Sequence, residues 1–163
     1  MKAGFLTDAS LLIDLEKVGG LPLLSHLGRI HVTDLVREEV AEGAERGTLE
    51  ALSRFGVLET QAYEDEIREV NQQHKGLSLA DASCLVLAKT QDLILLTGDR
   101  RLRMAAEGDG LEVHGALWVV KRLVVLSRIT ADEACRWLEV WRRMGRRLPE
   151  SSLKELLAHL HCS

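Results

Sequence analysis

Leu93-Ile94-Leu95-Leu96-Thr97-Gly98-Asp99 is the stretch on which the reading of this chain turns. A short, unbroken aliphatic run is what a strand buried on both faces looks like, and Thr-Gly-Asp closes it with turn chemistry. Gly4-Phe5-Leu6-Thr7-Asp8 repeats the form near the start of the chain. If the two runs are neighbouring parallel strands, Asp8 and Asp99 emerge together at the carboxyl edge of the sheet. Open α/β sheets bind their ligands there.

Working outward, β-like runs near 4–8, 30–33, 57–60, 93–97 and 111–114 alternate with helical patterns. The helices fall near 10–17, 21–27, 34–46, 48–55, 63–75, 78–90, 99–107, 115–126, 131–144 and 151–160. Such alternation predicts an α/β fold, a three-layer α/β/α sandwich around a mostly parallel sheet. Ser10 is expected to cap the first helix, Asp34 the helix carrying Glu39, and Ser78 the helix that begins Ala80-Asp81-Ala82. Thr130-Ala131-Asp132-Glu133 has the form of a capping box. Residues 1–114 read as the sheet domain, and 115–163 as a helical C-terminal extension packed on it. In that extension Ala134, Leu138, Trp141 and Gly145 share a face, widened by Trp137 and Met144. The face suits the chain's own core, a homodimer or partner surface, or base stacking.

The 163 residues suffice for one domain with a sizeable core, and 46% of them are apolar. Aromatic residues make up only 4%, which argues against a sheet that reads RNA by stacking. The net charge of −4 conceals a polarity: residues 1–99 carry 9 Lys/Arg against 17 Asp/Glu, whereas 100–147 carry 11 against 6. An acidic pocket beside a basic flank suits an enzyme that holds cations and meets phosphates. Cys84, Cys135 and Cys162 are odd in number and widely spaced, so they read as reduced thiols of a cytoplasmic protein. Asp8 and Asp14 interrupt the N-terminal apolar stretch, against a signal peptide. Ala116–Leu126 is too short for a membrane span.

Four acids stand where strands end or helices begin: Asp8, Glu39, Asp81 and Asp99. No Lys or Arg lies three or four positions from Asp8 or Asp81. Carboxylates gathered at one edge repel, and a divalent cation relieves them. Oxygen-only ligands suit Mg²⁺ or Mn²⁺. The chemistry this suggests is metal-assisted cleavage of phosphodiesters.

The residues around these acids resemble the PIN-domain family of metal-dependent ribonucleases. Asp8-Ala9-Ser10-Leu11-Leu12-Ile13 is similar to its first motif, and Val36-Arg37-Glu38-Glu39-Val40-Ala41-Glu42-Gly43 to its second. Leu79-Ala80-Asp81-Ala82 resembles the third, Leu95-Leu96-Thr97-Gly98-Asp99 the fourth. The resemblance spans about two-thirds of the chain. It implies an enzyme hydrolysing single-stranded RNA, with Asp8, Glu39, Asp81 and Asp99 catalytic and holding Mg²⁺ or Mn²⁺. Ser10 and Thr97 would orient Asp8 and Asp99, while Arg100, Arg101 and Arg103 would meet substrate phosphates. The short members are toxins of type II toxin–antitoxin pairs, implying an antitoxin partner and a homodimer. The longer helical tail here is instead similar to a prokaryotic subgroup of the family.

Other readings fit less well. A haloacid-dehalogenase-like phosphatase needs a second Asp two residues after the first, where this chain has Ser10. His159, His161 and Cys162 lack companions at zinc-ligand spacing. Asp14, one turn beyond Ser10, could reach the site but reads better as a surface helix residue, and Glu64-Asp65-Glu66 as a solvated helix start. The alternative to an enzyme is a non-catalytic PIN-like module for RNA binding or assembly, whose mark would be loss of an acid. All four are present.

Overall fold

A computed structural model describes residues 4–44 and 46–163. Five strands form one parallel sheet: β1 (Phe5–Thr7), β2 (Ile30–Thr33), β3 (Gly56–Leu58), β4 (Ile94–Leu96) and β5 (Val113–His114). Their order is β3-β2-β1-β4-β5. Phe5 pairs with Ile30 on one side and Ile94 on the other, so β1 is the central strand. The chain winds outward from β1 through β2 to β3, then crosses back to lay β4 against β1. The order reverses between β1 and β4. A crevice opens at that switch point, beyond the carboxyl ends of both strands.

Leu6, Leu95 and Leu96 are wholly buried, as a strand covered on both faces requires. Each such side chain contributes roughly 1.5–3 kcal/mol on burial. One helical layer is built on α5 (Leu79–Thr90), which packs on β1, β2 and β4 between α4 (Glu64–Gln73) and α6 (Arg100–Gly108). The other joins α1 (Ala9–Lys17) and the 3₁₀ segment Leu21–Leu27 to α7 (Ala116–Val125). Between β2 and β3 run α2 (Asp34–Ala41) and α3 (Arg46–Leu52). The chain ends in α8 (Ala131–Arg143) and α9 (Glu150–His159), both packed on α7.

Ala134, Leu138 and Trp141 are fully or almost fully buried, and Trp137 nearly so. The apolar stripe of the tail is therefore spent inside the chain's own core, while Met144 at its edge is exposed. Among the described residues no helix is long and apolar enough to cross a membrane.

Several local expectations need correction. Asp8, not Ser10, caps α1 by accepting the Leu11 N–H; Ser10 lies inside the helix and donates back to Asp8. Thr33, not Asp34, caps α2 through the Val36 N–H, and Asp34 accepts the Thr60 hydroxyl instead. In both cases the last residue of the strand region already carries the acceptor, so the later residue is left free for other partners. The helix expected over 34–46 stops at Ala41, ahead of Gly43, and Glu45 lies outside the described residues. Ser78 and Thr130 do form capping boxes, with Asp81 and Glu133.

The cysteines differ most from expectation. Cys135 in α8 and Cys162 beyond α9 are joined by a disulfide, their Cα atoms 5.6 Å apart. Separation by 27 residues hid a pairing that exists only once the last helix has folded back. Cys84 remains a free thiol, buried in α5.

Candidate active site at the β1–β4 switch point

Asp8 sits at the crevice floor with 1% of its surface exposed. Both of its oxygens are held. Oδ1 accepts the Leu11 N–H at 3.1 Å, and the Ser10 hydroxyl lies 2.9 and 2.8 Å from Oδ1 and Oδ2. The Thr97 hydroxyl, at the end of β4, donates to Oδ2. Thr97 in turn accepts the Asp99 N–H at 2.9 Å, and Ser10 accepts the Gly98 N–H at 2.9 Å. Two hydroxyls thus tie the ends of β1 and β4 into one unit. Both serve the Asp8 carboxylate, while Thr97 reaches Asp99 through its backbone.

Three of the four acids also serve helix starts. Asp81 accepts the Ser78 N–H at 3.0 Å, and Asp99 accepts those of Arg101 and Leu102 at 2.7 and 3.1 Å. Helix N-termini favour negative charge, which helps three acids to converge. Capping alone does not account for the electrostatics. Burial, and after it the field of Asp81, push the Asp8 carboxyl up to about 6 despite hydrogen bonds from Thr97, Leu11 and Ser10. Glu39 is likewise raised, by partial burial and then by Asp81. Cys84, beneath them, has its thiol driven well up by burial and by the fields of Asp8, Asp81 and Glu39. Asp8, Glu39 and Asp81 therefore share one electrostatic environment, whereas Asp99 is tied to it only by its backbone N–H on Thr97. Among the described residues none of the four forms a salt bridge.

A buried bond aligns the two helices that bring Glu39 and Asp81. Thr33 at the end of β2 lies 2.8 Å from Ser83 of α5, and Ser83 donates to the Ala80 carbonyl at 2.6 Å. Thr33 must then be the donor to Ser83, since the Ser83 proton is already used.

The C-terminal helices reach the same place. Arg146 donates from Nε to Asp14 Oδ2 at 2.8 Å and from Nη2 to the Gly98 carbonyl at 2.7 Å. Trp141 Nε1 donates to the Asp14 carbonyl at 2.9 Å. The expectation of Asp14 as a surface residue is thus overturned: it is 8% exposed, ion-paired, and its carboxyl is raised by burial against the opposing pull of Arg146. Glycine at position 98 lets the Arg146–Asp14 pair sit against the turn, since a Cβ there would displace the Arg146 guanidinium and the Asp14 carboxylate.

A family model described as DUF3368, PIN domain, matches residues 5–161. The chain belongs to the PIN-domain family. The crystal structure of PAE2754 from Pyrobaculum aerophilum is similar to it, with 26% sequence identity and a TM-score of 0.55. That likeness covers 79% of this chain and 100% of the other. No curated protein matched.

PIN domains are generally nucleases and typically use divalent metals, so the donor set must be weighed against such an ion. All four acids offer oxygen, the donor type hard cations take. A buried, proton-hungry Asp8 beside Asp81 is what a cation would relieve. Among the described residues no three His, Cys, Asp or Glu side chains already stand in a ligating cluster. In this PIN domain the arginines after Asp99 part company. Arg101 lies over Gly76, just ahead of α5, whereas Arg103 turns the other way and lies against Gly115. Arg100 is exposed. Sequence reasoning missed Thr33, Ser83 and the Asp14–Arg146 pair, whose partners are 50 and 132 residues apart.

Proposed function

We propose that this PIN domain is a metal-dependent ribonuclease that hydrolyses phosphodiester bonds of single-stranded RNA. The observation that carries the reading is Asp8: a carboxylate buried at the switch point, held by two hydroxyls, facing Asp81 and given no cation among the described residues. Asp8, Glu39, Asp81 and Asp99 are the residues to hold Mg²⁺ or Mn²⁺. Such an ion supplies a water acidified for attack and neutralises charge on the leaving oxygen.

The chain's own groups do the rest. Ser10 and Thr97 fix the Asp8 carboxylate, so its orientation costs nothing at the moment of reaction. The caps of α5 and α6 hold Asp81 and Asp99 in place. Arg101 stands on the rim beside the start of α5, suited to a substrate phosphate. Family membership supports nuclease chemistry in general. The preference for RNA, and an antitoxin that would cover the acidic crevice, rest on the resemblance of the four motifs to those of the toxin ribonucleases.

The test is cleavage of end-labelled single-stranded RNA in Mn²⁺, Mg²⁺ or EDTA by wild type and Asp8→Asn. Metal-dependent cutting that disappears in Asp8→Asn is expected. Cutting that survives in the variant, or that persists in EDTA, contradicts the reading. Growth arrest on expression, absent for Asp8→Asn, is the result a toxin would give.

A further inference from the structure

Gly98 has a second neighbour. On the side away from Asp8, a pocket of about 510 Å³ opens between α6, β5, α7 and α9 and shares the Gly98 turn with the acidic crevice. The volume lies within the roughly 300–1,000 Å³ of small-ligand pockets. Arg103, Lys121, Arg146 and Arg147 line it, against Glu107 and Glu155. Arg146 is committed to Asp14 and the Gly98 carbonyl. Arg103, Lys121 and Arg147 form no salt bridge among the described residues.

Arg103 is the telling member. Its Nε is buried and has no hydrogen-bond partner among the described residues. That Nε is closed to a ligand as it is to water, but the guanidinium lines the pocket, and an anion there would meet its terminal nitrogens. Gly115 permits this placement, since a Cβ there would collide with the Arg103 guanidinium. The opposite requirement, a flat apolar surface, is met by Trp118. It stacks on His114 with ring centres 4.1 Å apart and an 8° tilt, and Leu117 and Leu148 continue the wall. Inorganic phosphate would use the cations and waste the wall. A nucleotide uses both, its phosphate on arginine and its base along an aromatic face.

We infer that this pocket holds one nucleotide of the RNA strand, next to the phosphodiester lying over the acids. The strand would pass across the Gly98 turn from one site to the other. The inference rests on the ribonuclease reading for its substrate, but the binding it requires is measurable without cleavage.

The experiment uses the full chain in EDTA, in the Asp8→Asn background, with uridine and adenosine 5′-monophosphates and inorganic phosphate as probes. Trp137 and Trp141 are buried, so Trp118 is the fluorophore that a pocket ligand would change. Saturable quenching by the mononucleotides is expected, stronger than by inorganic phosphate and weakened about tenfold or more by Arg103→Gln. The exposed Lys121→Glu serves as a second variant should Arg103→Gln fold poorly, and Trp118→Phe should silence the signal. In otherwise wild-type enzyme, both charge variants should raise KM for RNA more than they lower kcat. No saturable binding, or binding and KM indifferent to both variants, overturns the pocket even if RNA is cut. Binding intact with no metal-dependent cutting would keep the pocket and refute the nuclease.

Discussion

The two sides of Gly98 are built on opposite plans. Toward β1, Asp8 and Glu39 are raised by burial first and by the field of Asp81 second. Toward β5, Arg103, Lys121 and Arg147 stand without salt bridges among the described residues around a half-apolar pocket. The acidic side is ordered by hydroxyls and helix caps from the first hundred residues. The basic side is ordered by α6 and the last fifty residues, fastened through Arg146 to Asp14 and to the turn itself. An excess of one sign of charge on either side is destabilising on its own. The difference teaches that the molecule keeps apart, across one glycine, two surfaces that a metal-bound polyanion would satisfy together.

The fastening should give the largest effect on stability. Arg146→Ala leaves Asp14 buried and unpaired and releases the Gly98 carbonyl. A loss of about 3 kcal/mol is expected in urea denaturation, the low end for a broken buried pair. RNA cleavage should fall with it, because Gly98 lies between Thr97 and Asp99. A neutral result would mean that the two sides are independent.

The disulfide should come next, and it should act on the basic side alone. Its 27-residue loop corresponds to about 3.5 kcal/mol of chain entropy, an upper value of which cross-links often deliver less. Cys135→Ser or reduction should lower the melting temperature and weaken α9 as a pocket wall, while Mn²⁺ affinity at the acids stays unchanged. A loss of metal affinity would join what the comparison separates.

The acidic side is addressed by pH. Asp8 is raised from 3.8 to about 6, so the folded chain holds this proton more tightly than the unfolded one. The stability it lends is complete below about pH 4 and is lost as pH rises through about 6. Asp14 and Glu39 shift in the same direction. In EDTA, stability should fall by about 2 kcal/mol across that window, and Asp8→Asn should flatten much of the slope. A wild-type slope of the opposite sign would remove the repulsion argument. The smallest effect concerns alignment: Ser83→Ala breaks the Thr33 link between β2 and α5 for about 1 kcal/mol, with a larger proportional loss of cleavage than of stability.

Much of this was legible in the residues because the relevant signals are local. An aliphatic run ending in Thr-Gly-Asp announces a buried strand and its exit, and Ser78 with Asp81 announces a helix start. Asp8 and Asp99 could be placed at one edge because parallel strands share a direction. What was not legible depends on distant partners. Nothing near Asp14 foretells Arg146, nothing near Cys135 foretells Cys162, and Arg103 and Arg101 look alike in sequence although α6 turns them to opposite sides. Cap choice failed at Ser10 and Asp34 for a smaller reason: where two acceptors are adjacent or nearly so, the backbone decides which one faces the helix.

The measurement that bears most directly on the account is calorimetric titration of Mn²⁺ into metal-free wild type and Asp8→Asn, with melting curves of both. The account predicts saturable binding and a raised melting temperature in wild type, and loss of both in Asp8→Asn. It also predicts that Asp8→Asn melts higher than wild type in EDTA at pH 8. Wild type that binds no Mn²⁺, together with an Asp8→Asn protein that melts lower in EDTA, would show that Asp8 is a structural cap and not part of a metal site.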